Sequence, residues 1–330
     1  MHDACDIGWG AMGQRVQAGL ISKGRNALLH GGRRAQNHGV SKQQPLQHLV
    51  VGLDGSEGAR LAFDWAAAQV GVGRLTAVHA IAPAIEFFAA AAQVNLDPIR
   101  AEHDHLLKTT WTESARNRGP ELATELIDDD PASALLNTAA AAKADAIIIG
   151  HLGQSRWSRH HVGSVASRLL HRCDAPLILT NDTTEPVPLN GTVVVGLSRP
   201  ADSANAEAGW ALALAEERQL AVHFVSVVER PAYIDGNLAF DMSTLHSGIS
   251  QQLEALASQL RAQHPTIEIT TAVREGDVAT GLAHEAADTG ACLVVVGTHS
   301  LGPVAGFFAG SVIRILPPLL DCPTAAIPAH

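Results

Sequence analysis

The chain repeats itself, and that limits its fold more than anything else in the sequence. Val50-Val51-Gly52-Leu53 returns as Val194-Val195-Gly196-Leu197 and Ala77-Val78-His79 as Ala221-Val222-His223, each 144 residues on. Gly163-Ser164 returns as Gly310-Ser311 at 147, and Trp65 has a counterpart in Trp210 at 145. A near-constant offset over such spaced landmarks means tandem duplication of one unit, so both halves must make the same fold. Length agrees, because 330 residues suit two domains of ordinary size. The stretch Asn181 to Asn190 is rich in turn formers and proline, so residues 182–190 read as the linker between a first domain at 47–181 and a second at 191–330.

Within the first unit, strands alternate with helices. His48 to Leu53 is a buried strand running into the polar turn Asp54-Gly55-Ser56. A helix is expected from Glu57 to Val70, with Ala59, Ala62, Phe63, Ala66 and Ala67 spaced to form an apolar face. There follow a strand from Leu75 to Ile81, a polar helix around Arg100 to Asn117, a strand from Ala123 to Ile127, a helix from Pro131 to Lys143 and a strand from Ala146 to Ile149. This alternation predicts a parallel sheet covered by helices on both faces.

After the last of those strands comes Gly150-His151-Leu152-Gly153, and ten residues later Gly163-Ser164 opens a helical pattern from Val165 to Arg172. A backbone leaving a parallel strand meets an anion most easily where glycine removes the obstructing Cβ. Ser164, in the first helical turn, can donate alongside the exposed N–H groups there. In an open parallel sheet, ligands bind beyond the carboxyl ends of the strands. Asp54 lies at that edge too, and its carboxylate can accept from an adenine amino group or a ribose hydroxyl while the glycine loop takes phosphates. Together these residues predict a nucleotide cleft.

Composition excludes several other classes. With 46% hydrophobic and 17% charged residues the chain can bury substantial cores. Residues 1–46 carry six Lys/Arg, two Asp/Glu and eight glycines with weak periodicity, and are expected to be a flexible tail. Without them the body has 17 basic and 31 acidic residues, a net charge near −14 that argues against nucleic-acid binding. No run of about 18 apolar residues exists, so no membrane partner and a cytoplasmic location are expected. Cys5, Cys173, Cys292 and Cys322 lack metal-ligand spacing and read as small buried residues or free thiols.

Gly150, two residues, Gly153, nine residues and Gly163-Ser164 match the G-x2-G-x9-G-[S/T] signature of ATP-binding universal stress proteins, and Val-Val-Gly-Leu-Asp-Gly-Ser resembles their opening strand. The resemblance spans about 47–330 as a tandem pair. It implies two Rossmann-like (adenine nucleotide alpha hydrolase-like) α/β domains, each an open, mainly parallel five-stranded sheet with helices on both faces. It also implies a stress-linked regulator that binds ATP, with or without Mg2+. On this basis Asp54, with Gly55 beside it, contacts the adenosine part; Val78 or Ala80 lines the adenine pocket; and Gly150, Gly153, Gly163 and Ser164 hold the phosphates. The family also pairs through its last strands, so Pro176 to Thr180 and Ala325 to Pro328 can pair within one chain as a pseudo-dimer, and a homodimer of chains stays open. The protein partner is not named by the sequence.

The second copy departs from the pattern: Ser198 stands at the position of Asp54, and Ser300 replaces the second loop glycine, with Gly302 nearby. Weaker binding or none is expected there. The first loop's interior is basic, with Arg156, Arg159, His160 and His161. The arginines can reach phosphates, and the histidine pair is the alternative acid/base of a slow ATPase. Asp130 before Pro131 reads as an N-cap, and His103 and His105 as solvated. No Walker lysine loop, G-x-G-x-x-G or G-x-S-x-G motif is present, so at most a weak ATPase is expected; a nucleotide-independent scaffold is the remaining alternative.

Overall fold

The structure, a computed structural model, describes residues 45–328 apart from 117, 152–162, 199, 201–204, 230–241 and 299–308, and it gives no account of the side chains at 86, 88–90 and 309–311. The expected tail therefore lies almost wholly outside the described residues, as do Gly153, the basic loop interior, Ser300 and Gly302. The first half runs β1 (His48–Gly52), α1 (Glu57–Val70), β2 (Arg74–Ala80), α2 (Pro83–Ala91), α3 (Asp97–Lys108), α4 (Glu113–Arg116), β3 (Glu121–Ile127), α5 (Pro131–Ala142), β4 (Ala146–Gly150), α6 (Ser164–Arg172) and β5 (Leu177–Thr180). The second runs β6 (Thr192–Gly196), α7 (Ala206–Arg218), β7 (Ala221–Val228), α8 (Met242–Gln263), β8 (Ile269–Glu275), α9 (Val278–Thr289), β9 (Ala291–Gly297), α10 (Ala309–Ile315) and β10 (Thr324–Ile327). No helix among the described residues is long and apolar enough to cross a membrane.

The ten strands form one sheet in the order β3-β2-β1-β4-β5-β10-β9-β6-β7-β8. Every pairing is parallel except the antiparallel seam between β5 and β10, where Thr324 faces Leu179 and Ala326 faces Leu177. The expected intrachain pairing of the last strands is thus present, and it merges the two five-stranded sheets into one. β4, β5 and β10 are buried on both faces, which explains their continuous apolar runs. One core cluster holds Val51, Phe63, Trp65 and Phe224, and the other holds Val50, Leu135, Ile147 and Leu282. Val50 and Val51 are neighbours on one strand and so point to opposite faces. Both clusters draw on both halves. Asn181, just beyond β5, reinforces the seam: its buried Nδ2 donates to Leu320 O at 2.6 Å and Cys322 O at 3.2 Å.

Local chemistry accounts for most boundaries. Ser56 caps α1 by accepting from Ala59 N–H at 3.2 Å, and Asp130 caps α5 by accepting from Ser133 N–H at 3.2 Å, as its position before proline predicts. The helix expected over Arg100 to Asn117 is broken. It starts at Asp97 and stops at Lys108, because Thr109 and Thr112 turn their hydroxyls back onto His105 O and Leu107 O, and a short 3-10 turn (Thr110–Thr112) follows. α2 escapes the sequence pattern because its run of apolar residues has no helical period. Cys173, Cys292 and Cys322 are free thiols; burial pushes Cys292 up to about 11 and Cys322 up to about 12, so both are inert.

Two landmarks of the repeat do not survive in space. Counted from the helix caps, Trp65 of α1 falls at Leu214 of α7 and not at Trp210. The second is the Ala-Val-His tripeptide. Val78 pairs with Gly52, whereas the residue paired with Gly196 is Val225, three positions past the match Ala221-Val222-His223 suggests. The same equivalence appears where Leu53 N–H bonds Val78 O and Leu197 N–H bonds Val225 O, each at 2.8 Å. An odd shift in a strand flips the face. His79 and His223 therefore lie on opposite sides of the sheet, and their shared tripeptide is coincidental.

Candidate functional site

A cavity of about 320 Å³ opens at the carboxyl ends of β1, β2 and β4, under the N-termini of α1, α5 and α6. Gly52 to Asp54, Ser56 and Ala59 form one wall; Val78 and Ala80 a second; Pro131 and Leu135 a third; Ile149 to His151 and Gly163 to Ala166 the last. Six of the eight residues expected at a binding site, namely Asp54, Val78, Ala80, Gly150, Gly163 and Ser164, are thus brought to one cavity. Gly153 lies outside the described residues. Gly55 is not among the lining residues: it turns the chain at φ +79°, and a Cβ there would stand 2.8 Å from the Trp111 ring.

Each wall is set by a small piece of local chemistry. Asp54 is half-buried and its Oδ1 accepts from Ser56 N–H at 2.9 Å, which fixes the turn. Gly150 is glycine for a packing reason, since a Cβ would meet the backbone of Gly58 at 2.7 Å; its absence lets the first turn of α1 lie against the end of β4. His151 continues β4 by donating its N–H to Thr180 O at 2.8 Å, and its own carbonyl accepts from Gly163 N–H at 3.0 Å. That bond joins the chain on either side of residues 152–162. Gly163, with φ −61° and ψ 167°, is the N-cap of α6 but supplies no side-chain acceptor. Gly163 thus gives the first-turn N–H groups of α6, with that of Ser164 among them, no side-chain cap at the cavity edge.

Behind the Asp54 turn lies a cluster of rings. His79 Nδ1–H donates to Leu53 O at 2.6 Å, which leaves Nε2 to accept from His103 Nδ1–H at 2.9 Å, and Trp111 packs edge-on against His79 with centroids 5.1 Å apart. His103 is therefore not solvated as expected, although His105 is exposed. Burial holds His79 below the usual imidazole range, and it does the same to the cavity residue His151, whose Nδ1 lies 3.1 Å from Thr180 O. Asp54 and His151 are the titratable residues among the described lining. No group of three or more His, Cys, Asp or Glu among the described residues could hold a metal.

Sequence reasoning missed Ser56, Leu135 and His151. Ser56 carried a signal as the capping residue before Glu57, and Leu135 one as the apolar residue a helical turn beyond Pro131. His151 carried none, because its inward pose depends on the neighbouring β5.

The model of the universal stress protein family matches residues 45–181 and again 190–328. The chain belongs to the universal stress protein family. Universal stress protein Rv2623 of Mycobacterium tuberculosis is 29% identical over 282 residues, covering 80% of this chain and 90% of the relative. Universal stress protein Mb2028c of Mycobacterium bovis is 25% identical over 287 residues, covering 83% and 94%. Among solved structures, a universal stress protein from Archaeoglobus fulgidus superposes with a TM-score of 0.61 at 14% identity, covering 88% of this chain and 98% of that one. A second, from Pseudomonas aeruginosa, gives 0.55 at 14%, covering 86% and 94%. At that identity they bear on the fold alone.

The second universal stress protein repeat has its own cavity, of about 160 Å³, in the equivalent place. The equivalence can be followed residue by residue. A Cβ on Gly52 would meet Ile149 and Leu135, and one on Gly196 would meet Val296 and Leu282. Ser198, Val225, Val227, Val278, Gly297 and Val312 line it, with two carboxylates, Glu207 and Glu229, that have no acidic counterpart among the described lining of the first cavity.

Proposed function

We propose that the first cleft binds an adenine nucleotide, ATP with or without Mg2+, and that the protein works in the cytoplasm as a stress-response regulator whose contacts with a protein partner depend on cleft occupancy. The observation that carries this is the convergence of Asp54, Val78, Ala80, Gly150, Gly163 and Ser164 on one cavity that ends at the N-terminus of α6, where Gly163 offers no side-chain cap. In this reading Asp54 accepts from the adenosine part, and Val78 and Ala80 flank the base. The amides of Gly163 and Ser164, with the helix dipole behind them, take a phosphate. Gly55 shapes the Asp54 turn, and Gly153 belongs to the phosphate loop. Asp54 is the one carboxylate among the described lining residues, so a Mg2+ ion would arrive with the phosphates that chelate it.

The output is occupancy: a nucleotide in the cleft shifts the chain toward whichever conformation binds it better. Calorimetry and thermal melts with ATP test the reading. At about 100 times its dissociation constant ATP should stabilise the chain by roughly 2.7 kcal/mol. Asp54→Ala combined with Ser164→Ala should erase most of that. No shift in the native chain, or an undiminished shift in the double variant, would refute it.

A further inference from the structure

The two clefts share a backbone and differ in charge, and the difference centres on the second residue of the helix that follows the opening strand. In α1 this is Gly58, and its backbone fills the space over Gly150, 2.7 Å from where a Cβ would stand. In α7 it is Glu207, and its side chain fills the matching space: a Cβ on Gly297 would stand 3.0 Å from Glu207 Oε2 and 3.2 Å from its Cδ. A half-buried carboxylate thus lies over the strand-end glycine from which the second loop departs, and it lines the smaller cavity. Its neighbour across the cavity, Glu229, adds a second negative group. Burial and then the nearby Asp277 push Glu229 above the usual carboxylate range.

We propose that Glu207 is the specificity determinant that closes the second cleft to nucleotide phosphates, so that the tandem chain binds nucleotide in its first half only. The proposal rests on the nucleotide reading of the first cleft. A nucleotide phosphate entering the smaller cavity would meet the Glu207 carboxylate in its lining, and juxtaposing like charges is strongly unfavourable away from bulk water. Complementing the helix dipole does not by itself account for Glu207. In the first half Glu57 supplies an acidic residue to the first turn of α1 while staying exposed and outside the cavity. What distinguishes Glu207 is that it turns inward.

The test is photolabelling of the full chain with azido-ATP, followed by mapping of labelled peptides to residues 45–181 or 190–328. The native chain should label only in the first segment. Glu207→Gly should raise labelling of the second segment roughly tenfold or more, and Glu207→Gln, which keeps the size and removes the charge, should raise it as well. The reciprocal Gly58→Glu should abolish labelling of the first segment. Thermal melts establish that each variant is folded, and Glu207→Gln carries the test should the glycine variant unfold. Native labelling of both segments, or a second segment that stays dark in both Glu207 variants while the first labels normally, would overturn the proposal. A native chain dark in both segments would instead end the nucleotide reading, and this inference with it.

Discussion

Gly150 and Gly297 are the same residue of the duplicated unit, yet replacing each by alanine should have different consequences. At 150 the new methyl would stand 2.7 Å from Gly58 C, 2.8 Å from Gly58 O and 3.2 Å from Ala59 N, all of them backbone of the first turn of α1. That turn is held by the Ser56 cap and by the packing of Phe63 and Ala66 in the core, so it can yield only by moving as a unit. Overpacking of this kind costs about 1–3 kcal/mol, against about 0.4–1 kcal/mol regained because alanine narrows the unfolded ensemble. At 297 the nearest atoms are the carboxylate of Glu207, the far end of a flexible side chain, and the same entropy gain applies. Gly297→Ala should therefore be neutral or slightly stabilising, within about 0.5 kcal/mol. In thermal melts followed by circular dichroism, Gly150→Ala should lower the midpoint by a few °C, at roughly 2–4 °C per kcal/mol, and Gly297→Ala should leave it in place. Equal shifts, or a larger loss at 297, would refute the idea that strand-end glycine serves backbone packing in the first half.

Stability should fall on acidification below about pH 6.5, the ordinary imidazole value, because His79 and His151 are buried with lowered folded values and the unfolded chain takes up their protons first. His48 shifts in the same direction, again chiefly through burial. Urea titrations above and below that pH should show a slope of at most about 1.4 kcal/mol per pH unit for each such histidine, flat above the window and reduced in a His79→Gln variant. In the second half, Glu285 is buried, lies 2.9 Å from His223 Nε2 and also pairs with Arg274. Glu285→Ala should cost about 1–3 kcal/mol in chemical denaturation, because the buried His223 Nε2 loses its partner while Nδ1 keeps Thr270.

The architecture was legible because its signals are local. Apolar runs at Val50 and Ile147 need no knowledge of the rest of the chain to read as buried strands, and Ser56 and Asp130 announce helix starts through cap chemistry. The pairing of β5 with β10 was expected from the family resemblance, applied to a chain that carries both copies. What stayed hidden depends on distant contacts or on small shifts in spacing. The helix expected over Arg100 to Asn117 breaks where two threonine hydroxyls compete for its carbonyls. His103 is drawn from solvent by His79, which is 24 residues away. Glu207 escaped notice because sequence offsets of 144 to 147 do not align it with Gly58; the helices do, each counting from its own cap. The Ala-Val-His tripeptide misled for the converse reason, matching in letters and missing by three in register.

The first cleft also has a short physical route into the second half. His151, on the cavity wall, gives its N–H to Thr180 O, and its Nδ1 lies 3.1 Å from the same oxygen. The next residue, Asn181, holds Leu320 O and Cys322 O immediately before β10, and its Oδ1 accepts from the hydroxyls of Thr183 and Thr184. If the route matters, the two ends are energetically linked. His151→Ala and Asn181→Ala should each destabilise, the latter by about 1–3 kcal/mol for the buried carbonyls it leaves unmet. The double variant should depart from additivity by at least about 0.5 kcal/mol, although the side chains do not touch through any direct bond. Measured with ATP present, the same cycle should give a different coupling, because the ligand would fix His151 from the cleft side. Strict additivity in both conditions would mean that the β5–β10 seam joins the halves mechanically and carries nothing from the cleft.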